Sequence, residues 1–507
     1  MLAVRPSMRY LLVGSVFLSA CVFFFLLNTG DPIVVAERPI SEPSEPPSPA
    51  PSASSTPEPS STPLLPDQKP DVNIPPAPPP NLDDHCNVNV EQLRELGYNR
   101  SIEYGRWDIA VVRTPDFQDF SLDLNLTLPT FEPVNLDIAA EVAFEHCSPD
   151  ATIYAPPRQP RADASHMIFG FATSKERVIA SLEAFQYWAG GNGARMFGCI
   201  DGITEPEREQ IEQMGRDRDI QLTIIHSTKW VFDVQDMYFS LIKILWDNRD
   251  ENTKWAVIID DDTFFPSMRN LIKRIATYDD SEPHYIGAPT EDFDQMRTMW
   301  FMGYGGAGVF LSMPLLEQIN EHYEDCSFSM SYGDRRVAEC IYKYTTTKLT
   351  WDRGLFQLDI KNNADGFYEA GRPLPLSLHH WKSWTNVDVV RQAMVAEVCG
   401  DDCQLRRWRI NDHWWLINGY SIVQYSKPLT DLLSMEQTWA LGPMVEDFNY
   451  GHSLGPLREA DSGKVSYRLK SATVDGNIVR QIYVHDPSLE ELPRRVWEVV
   501  WTVIEEP

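Results

Sequence analysis

Apolar and polar positions divide this chain into stretches of different character. Residues 10–27 are apolar without a single charge, and residues 28–85 hold no hydrophobic period at all. From about His166 short β-branched or aromatic runs begin to alternate with amphipathic ones. Residues 167–172, 196–200, 221–225 and 255–259 read as buried strands. Between them Ile179, Leu182, Phe185 and Ala189 follow helical spacing, as do Val234, Met237, Leu241 and Leu245, and residues 205–216 form a further helix. Thr173 and Ser174 sit where an N-cap belongs. Strands alternating with helices of this length predict an α/β fold, a mostly parallel sheet covered on both faces, over residues 166–400.

The pattern changes after residue 400. Trp408, Trp414, Trp415, Tyr420 and Tyr425 crowd together, and Asp475-Gly476 separates two alternating runs, 465–472 and 477–484. With a further strand at 495–504, residues 401–507 predict a small antiparallel β-rich unit. Residues 86–165 form an N-terminal extension.

The N-terminal stretches place the chain in a compartment. Arg5 and Arg9 precede Tyr10–Leu27, which is just long enough to cross a thin bilayer. Basic residues on its N-terminal side predict a cytosolic tail, residues 1–9, and a single-pass signal anchor; a cleaved signal peptide is the competing reading. Residues 28–85 are rich in Pro and Ser and hold no aromatic residue, which predicts an extended stem. A short span suits a Golgi membrane, with the remainder in the lumen. The sequons at Asn99 and Asn125 agree with that side of the membrane.

Charge and cysteines narrow the picture further. A net charge of −29 with no basic stripe argues against a nucleic-acid partner. Of the eight cysteines Cys21 lies in the apolar span, so the odd number left outside it includes a thiol that is unpaired or bonded to a partner. In an oxidising lumen the expected disulfides are Cys326–Cys340 and Cys399–Cys403, with Cys86–Cys147 a third. Half of a zinc site is the alternative for Cys399 and Cys403.

The chemistry concentrates at Asp260-Asp261-Asp262, which closes the 255–259 run. Three adjacent carboxylates repel one another unless a cation compensates them, and hard oxygen ligands suit Mg²⁺ or Mn²⁺, ions that also hold substrate phosphates. An acidic turn before a helix is the bland alternative. In open α/β sheets ligands bind beyond the carboxyl ends of the strands, where the three acids sit. Gly303–Gly308 matches the spacing GxGxxG, yet it comes late and leads into a short strand at 309–311, with a helix only from about Pro314. A glycine-lined wall for a sugar, formed by Gly305 and Gly306, fits better than a dinucleotide turn.

Residues 255–265, 285–289, 305–311, Gly333-Asp334 and 378–381, in that order, resemble the Fringe-like branch of the β-1,3-glycosyltransferases over roughly residues 167–384. That resemblance implies a type II membrane enzyme of GT-A fold that uses a UDP-sugar, Mn²⁺ and a glycan or glycoprotein acceptor. It implies Asp262 and His380 as metal ligands, with His379 one residue away, and Asp260 and Asp261 at the ribose or the metal's waters. Asp334 matches the catalytic base, and Thr173 and Arg177 lie where related folds meet the nucleotide. The chain departs from relatives that carry two adjacent acids, because Asp334 is followed by Arg335 and Arg336. A catalytically inactive carbohydrate-binding or scaffolding protein on the same fold is therefore the second reading.

Overall fold

In the computed structural model the strands at the centre form where β-branched and aromatic runs were expected. It describes residues 87–505 apart from 99, 139–141, 144–147, 227–233, 330, 441–449 and 486–493. The expected tail, membrane span, stem and Cys86–Cys147 pair fall outside the described residues. No described helix is long and apolar enough to cross a membrane.

A seven-stranded sheet runs in the order Leu349–Trp351, Tyr285–Gly287, Val309–Ser312, Trp255–Ile258, Met167–Ala172, Arg195–Ile200, Gln221–His226. Val309–Ser312 pairs antiparallel with both its neighbours, and the remaining pairs are parallel. The sheet is thus mostly parallel. Alternate residues feed two cores. Phe169, Phe171, Trp255, Val257 and Phe310 face the helix Lys175–Ala189, whereas Ile168, Ala256, Ile258 and Leu311 face the helix Val234–Asp247. Each fully buried side chain of this size contributes about 1.5–3 kcal/mol, so both faces are strongly specified.

The chain order matters for the site. From Met167–Ala172 the chain winds outward through Arg195–Ile200 and Gln221–His226, then returns to Trp255–Ile258 on the other side of the first strand. The order reverses between these two central strands, and in open α/β sheets ligands bind past the carboxyl ends of the strands at such a reversal. Ser174 caps the helix that leaves the first strand, accepting from Arg177 N. Asp260-Asp261-Asp262 follows the second.

A second sheet contains nine strands, among them Arg407–Arg409, Trp414–Ile417, Ser421–Gln424, Val465–Asp475, Ile478–His485 and Arg494–Glu505. The Val465–Asp475/Ile478–His485 hairpin forms as the sequence predicts. The sheet is larger than a C-terminal unit alone could supply. Ser101–Arg113, Glu132–Asn135 and Ala151–Ala155 of the N-terminal extension complete it, and Ser101–Arg113 pairs parallel with both Arg494–Glu505 and Ala151–Ala155. The expected boundary at residue 401 therefore separates segments that share one sheet. One face of this sheet, with Trp415, Ile417, Val423 and Tyr425, shares a core with the α/β unit. Its other face packs Trp107, Trp408, Trp497 and Trp501. The aromatic density after residue 400 is core.

Cys326–Cys340 and Cys399–Cys403 are disulfides, so no zinc half-site forms at the second pair. Cys199 is a buried free thiol, and Asn125 is exposed.

Candidate active site

The acidic turn is held before any ligand is considered. Asp260 N–H donates to Thr263 Oγ1 at 3.0 Å, and Thr263 Oγ1 donates to the Gly306 carbonyl at 3.0 Å. Phe264 and Leu378 then exchange two backbone hydrogen bonds of 2.8 Å. That bridge carries the next residues, His379 and His380, to the turn.

His379 is fixed on three sides: at Nδ1, at Nε2 and against Gly306. Its Nδ1 lies 3.0 Å from the Gln357 carbonyl, which leaves Nε2 aimed at the acids. Nε2 is 2.9 Å from Asp262 Oδ1 and 3.3 Å from Asp260 Oδ2. Gly306 supplies the third constraint, because a Cβ there would come 2.1 Å from His379 Nδ1. Gly305 is filled likewise, since its Cβ would meet Tyr238 Oη at 2.0 Å. These glycines were expected to leave room for a sugar. The room they leave is taken by Tyr238 and His379, and their backbone steers the histidine.

His380 takes a left-handed backbone (φ 55°). Its Nε2 lies 3.2 Å from Asp359 Oδ1, and its ring stacks on Trp384 at 3.7 Å. Asp262, His379 and His380 offer ligand atoms that all lie within 4.8 Å of one another. Of the two histidines, His379 is the nearer to Asp262 and the better held, with Nδ1 satisfied by a carbonyl as metal-bound histidines commonly are.

The three carboxylates are compensated unequally. Asp261 is buried and takes Arg177 at 2.6 Å and Lys382 Nζ at 2.9 Å. It is therefore a structural anion that ties the first helix to the turn. Asp262 is buried too. Burial would raise its carboxyl, but the hydrogen bond and charge of His379 outweigh that and hold it well below the usual range. In return, burial depresses the His379 ring less than Asp260 and Asp262 raise it, to about 10. Asp262 Oδ2 has no hydrogen-bond partner among the described residues. An orphaned buried carboxylate oxygen beside two imidazoles is the donor set a hard or borderline divalent cation takes.

Asp334 lies in the first turn of the helix Gly333–Tyr344, and its Oδ1 accepts from Arg335 N at 2.8 Å. Desolvation, then the charges of Asp260 and Asp359, raise its pKa to about 7. The neighbouring Arg335 does not neutralise it, because its guanidinium pairs with Glu339 at 2.9 Å and lies 4.6 Å above the Trp300 ring. Tyr238 Oη, without a partner among the described residues, feels both Asp260 and Asp334 after burial itself has raised its pKa. Thr173 is buried at the end of the first strand, its hydroxyl also without a described partner.

Four residues the sequence reading passed over complete the surroundings. Lys382 and Gln357 act as described. Asp359 holds His380 and accepts from Gln295 Nε2 at 2.8 Å, and the buried Glu291 accepts the Asp359 N–H at 2.9 Å. Burial and then Asp359 push Glu291 up to about 7. An Asp or Glu in a loop carries no local period, so no sequence signal points to this group.

Residues 294–392 match a protein family of unknown function, DUF604. That segment contains Asp334, Asp359, His379 and His380 but not the acidic turn. No curated protein matches the chain. Among solved structures the chain is similar to the galactosyltransferase LgtC with donor and acceptor sugar analogues, at 13% identity over 39% of this chain and 75% of that one (TM-score 0.27). It is similar to the mannosyltransferase PcManGT from Pyrobaculum calidifontis with GDP-Man and Mn²⁺, at 10% identity over 39% and 57% (0.27). Mouse xyloside xylosyltransferase 1 is similar at 12% identity over 36% and 76% (0.23). Similarity at this level leaves the functional reading to the site itself.

Proposed function

We propose that the chain is an inverting, metal-dependent glycosyltransferase of GT-A type, moving a hexosyl or N-acetylhexosaminyl group from a UDP-sugar to a hydroxyl of a glycan or glycoprotein. A Golgi membrane setting, with the catalytic unit lumenal, and a β-1,3 linkage belong to the same reading. The observation that carries it is the convergence of Asp262, His379 and His380 past the ends of the two central strands, with Asp334 close enough to Asp260 to feel its charge.

Each residue then has a task. Asp262, with His379 and His380, would hold a divalent cation, Mn²⁺ or Mg²⁺. When bound, such a cation supplies positive charge to the diphosphate of the leaving group. Arg177 and Lys382 hold Asp261 and so keep the turn in place. In this reading the nucleotide would meet Thr173 and Asp260. Asp334, largely desolvated, takes the proton of the acceptor hydroxyl as that oxygen bonds to the anomeric carbon. The anomeric C–O bond to the diphosphate breaks, its electron pair leaves on UDP, and the configuration inverts. A base with a pKa near 7 is well matched to such a proton transfer. Arg335 is engaged by Glu339 and Trp300 rather than by Asp334, which supports an active enzyme over an inactive binding protein.

The test is calorimetric titration of UDP into the purified chain with Mn²⁺ and with EDTA, for wild type and Asp262→Ala. Metal-dependent binding lost in the variant is the expected result. Absence of UDP binding by folded wild type would leave a lumenal binding or scaffolding protein.

A further inference from the structure

The helix Phe293–Met299 ends on Trp300, which adopts φ 94° and ψ 159°. That backbone region is essentially restricted to glycine, because a Cβ there crowds its own chain. Nevertheless the position holds the largest side chain available, and the residue is 43% exposed. A tryptophan that served packing would be buried, and a residue that served only the turn would be glycine. Neither holds here, so the strained backbone is maintained for what the indole does at the surface.

The indole has a set position. The Arg335 guanidinium covers it at 4.6 Å from the ring centre, and Glu339 holds that guanidinium at 2.9 Å. Glu339 is itself fixed by Ser329 and Ser331, whose hydroxyls donate at 2.9 and 2.7 Å. A chain of charged hydrogen bonds thus places one aromatic plane beside the residue that follows Asp334. Phe301 is 46% exposed next to Trp300, and Tyr332 is 55% exposed two residues before Asp334. The aromatic surface and the carboxylate are built from the same two segments.

From this geometry we infer that Trp300 is the platform on which the acceptor sugar stacks. The electron-rich face of an indole attracts the polarised C–H groups of a pyranose ring, and a hydroxyl on the rim of that ring would then point toward Asp334. Arg335, the departure from the acid pair of similar enzymes, acquires a positioning role through the indole. This assignment rests on the transferase reading for the identity of its ligand as an acceptor, although stacking of a glycan on Trp300 can be measured without it.

The test uses the full-length chain and two variants, Trp300→Gly and Trp300→Phe, on an array of N-linked, O-linked and glycolipid-type glycans with UDP and Mn²⁺ present. Wild type is expected to bind a subset of these glycans. Trp300→Gly should lose about tenfold or more of that affinity, as truncation of a central aromatic contact does, and Trp300→Phe should lose less. UDP affinity should stay within about twofold in both. Because glycine relieves the backbone, Trp300→Gly should also melt at a higher temperature than wild type, which a packing role would not allow. Unchanged glycan binding in Trp300→Gly, a lower melting temperature, or a wild type that binds UDP but no glycan would overturn the inference. A variant with weakened binding of UDP-sugar but not of UDP would assign the indole to the donor and overturn it too. If wild type binds glycans through Trp300 yet binds no UDP, the platform stands and the transferase reading fails.

Discussion

Adding one methyl group at Gly306 tests how the histidine is held. An alanine Cβ would stand 2.1 Å from His379 Nδ1, where ordinary contact begins at 3.4 Å. The ring must therefore retreat by about 3.4 − 2.1 = 1.3 Å, far beyond the roughly 0.2 Å tolerance of a metal–ligand distance. The Phe264–Leu378 bridge prevents the backbone from following. Retreat also lengthens the 3.0 Å contact between Nδ1 and the Gln357 carbonyl, so the orientation of the imidazole is lost with its position. Crowding of this kind costs about 1–3 kcal/mol of stability. Disturbing the support of a metal-binding histidine costs about 10–100-fold in metal affinity. Calorimetric titration of Mn²⁺ and UDP, with a thermal melt on the same sample, reads both. Gly305→Ala is the control, since its Cβ would meet Tyr238 Oη at 2.0 Å and leave His379 alone. It should destabilise comparably while keeping more of the metal affinity. Metal affinity in Gly306→Ala within about twofold of wild type would refute the argument that His379 belongs to the cation site.

Other expectations follow from Asp334, Glu291 and the disulfide. Asp334→Asn should lower turnover by about 10²–10⁴-fold, the usual worth of a general base, with UDP affinity kept. Wild-type kcat/KM should rise as pH passes about 7 and Asp334 ionises, and a flat profile from about pH 5.5 to 8.5 would remove it as the base. Glu291, raised from 4.5 to about 7, holds more proton folded than unfolded across that interval, so its contribution to stability falls as pH rises through it. The loss, over about 7 − 4.5 = 2.5 units at 1.36 kcal/mol each, is about 3 kcal/mol at pH 8. Glu291→Gln should accordingly melt above wild type at pH 8 and alongside it near pH 4; equal melting at both would refute the assignment. Replacing Cys326 and Cys340 by serine opens a 14-residue separation and should cost about 3 kcal/mol, read as a lower denaturation midpoint.

The sequence by itself determined much of the α/β unit. The strands Met167–Ala172, Arg195–Ile200, Gln221–His226 and Trp255–Ile258, and the helices between them, lie where hydrophobic period placed them, because burial on a sheet face imposes a local spacing. The acidic turn was legible for a different reason, since three adjacent carboxylates repel one another and call for a compensating cation. Tertiary structure alone decided which groups meet those acids. His379 rather than His380 lies nearest Asp262 because the Phe264–Leu378 bridge sets the register and Gly306 makes room, and a one-residue choice of this kind has no sequence signal. Nor does alternation say which edge a strand will pair with. Ser101–Arg113 has a hydrogen-bond ladder to fill on each edge, and only the folded chain brings Arg494–Glu505 to one edge and Glu132–Asn135 with Ala151–Ala155 to the other. For Trp300 the sequence does not separate stacking on a sugar from a place in the core, because aromatic character is all that shows. Its exposure follows from a backbone turn that only the folded chain holds in place.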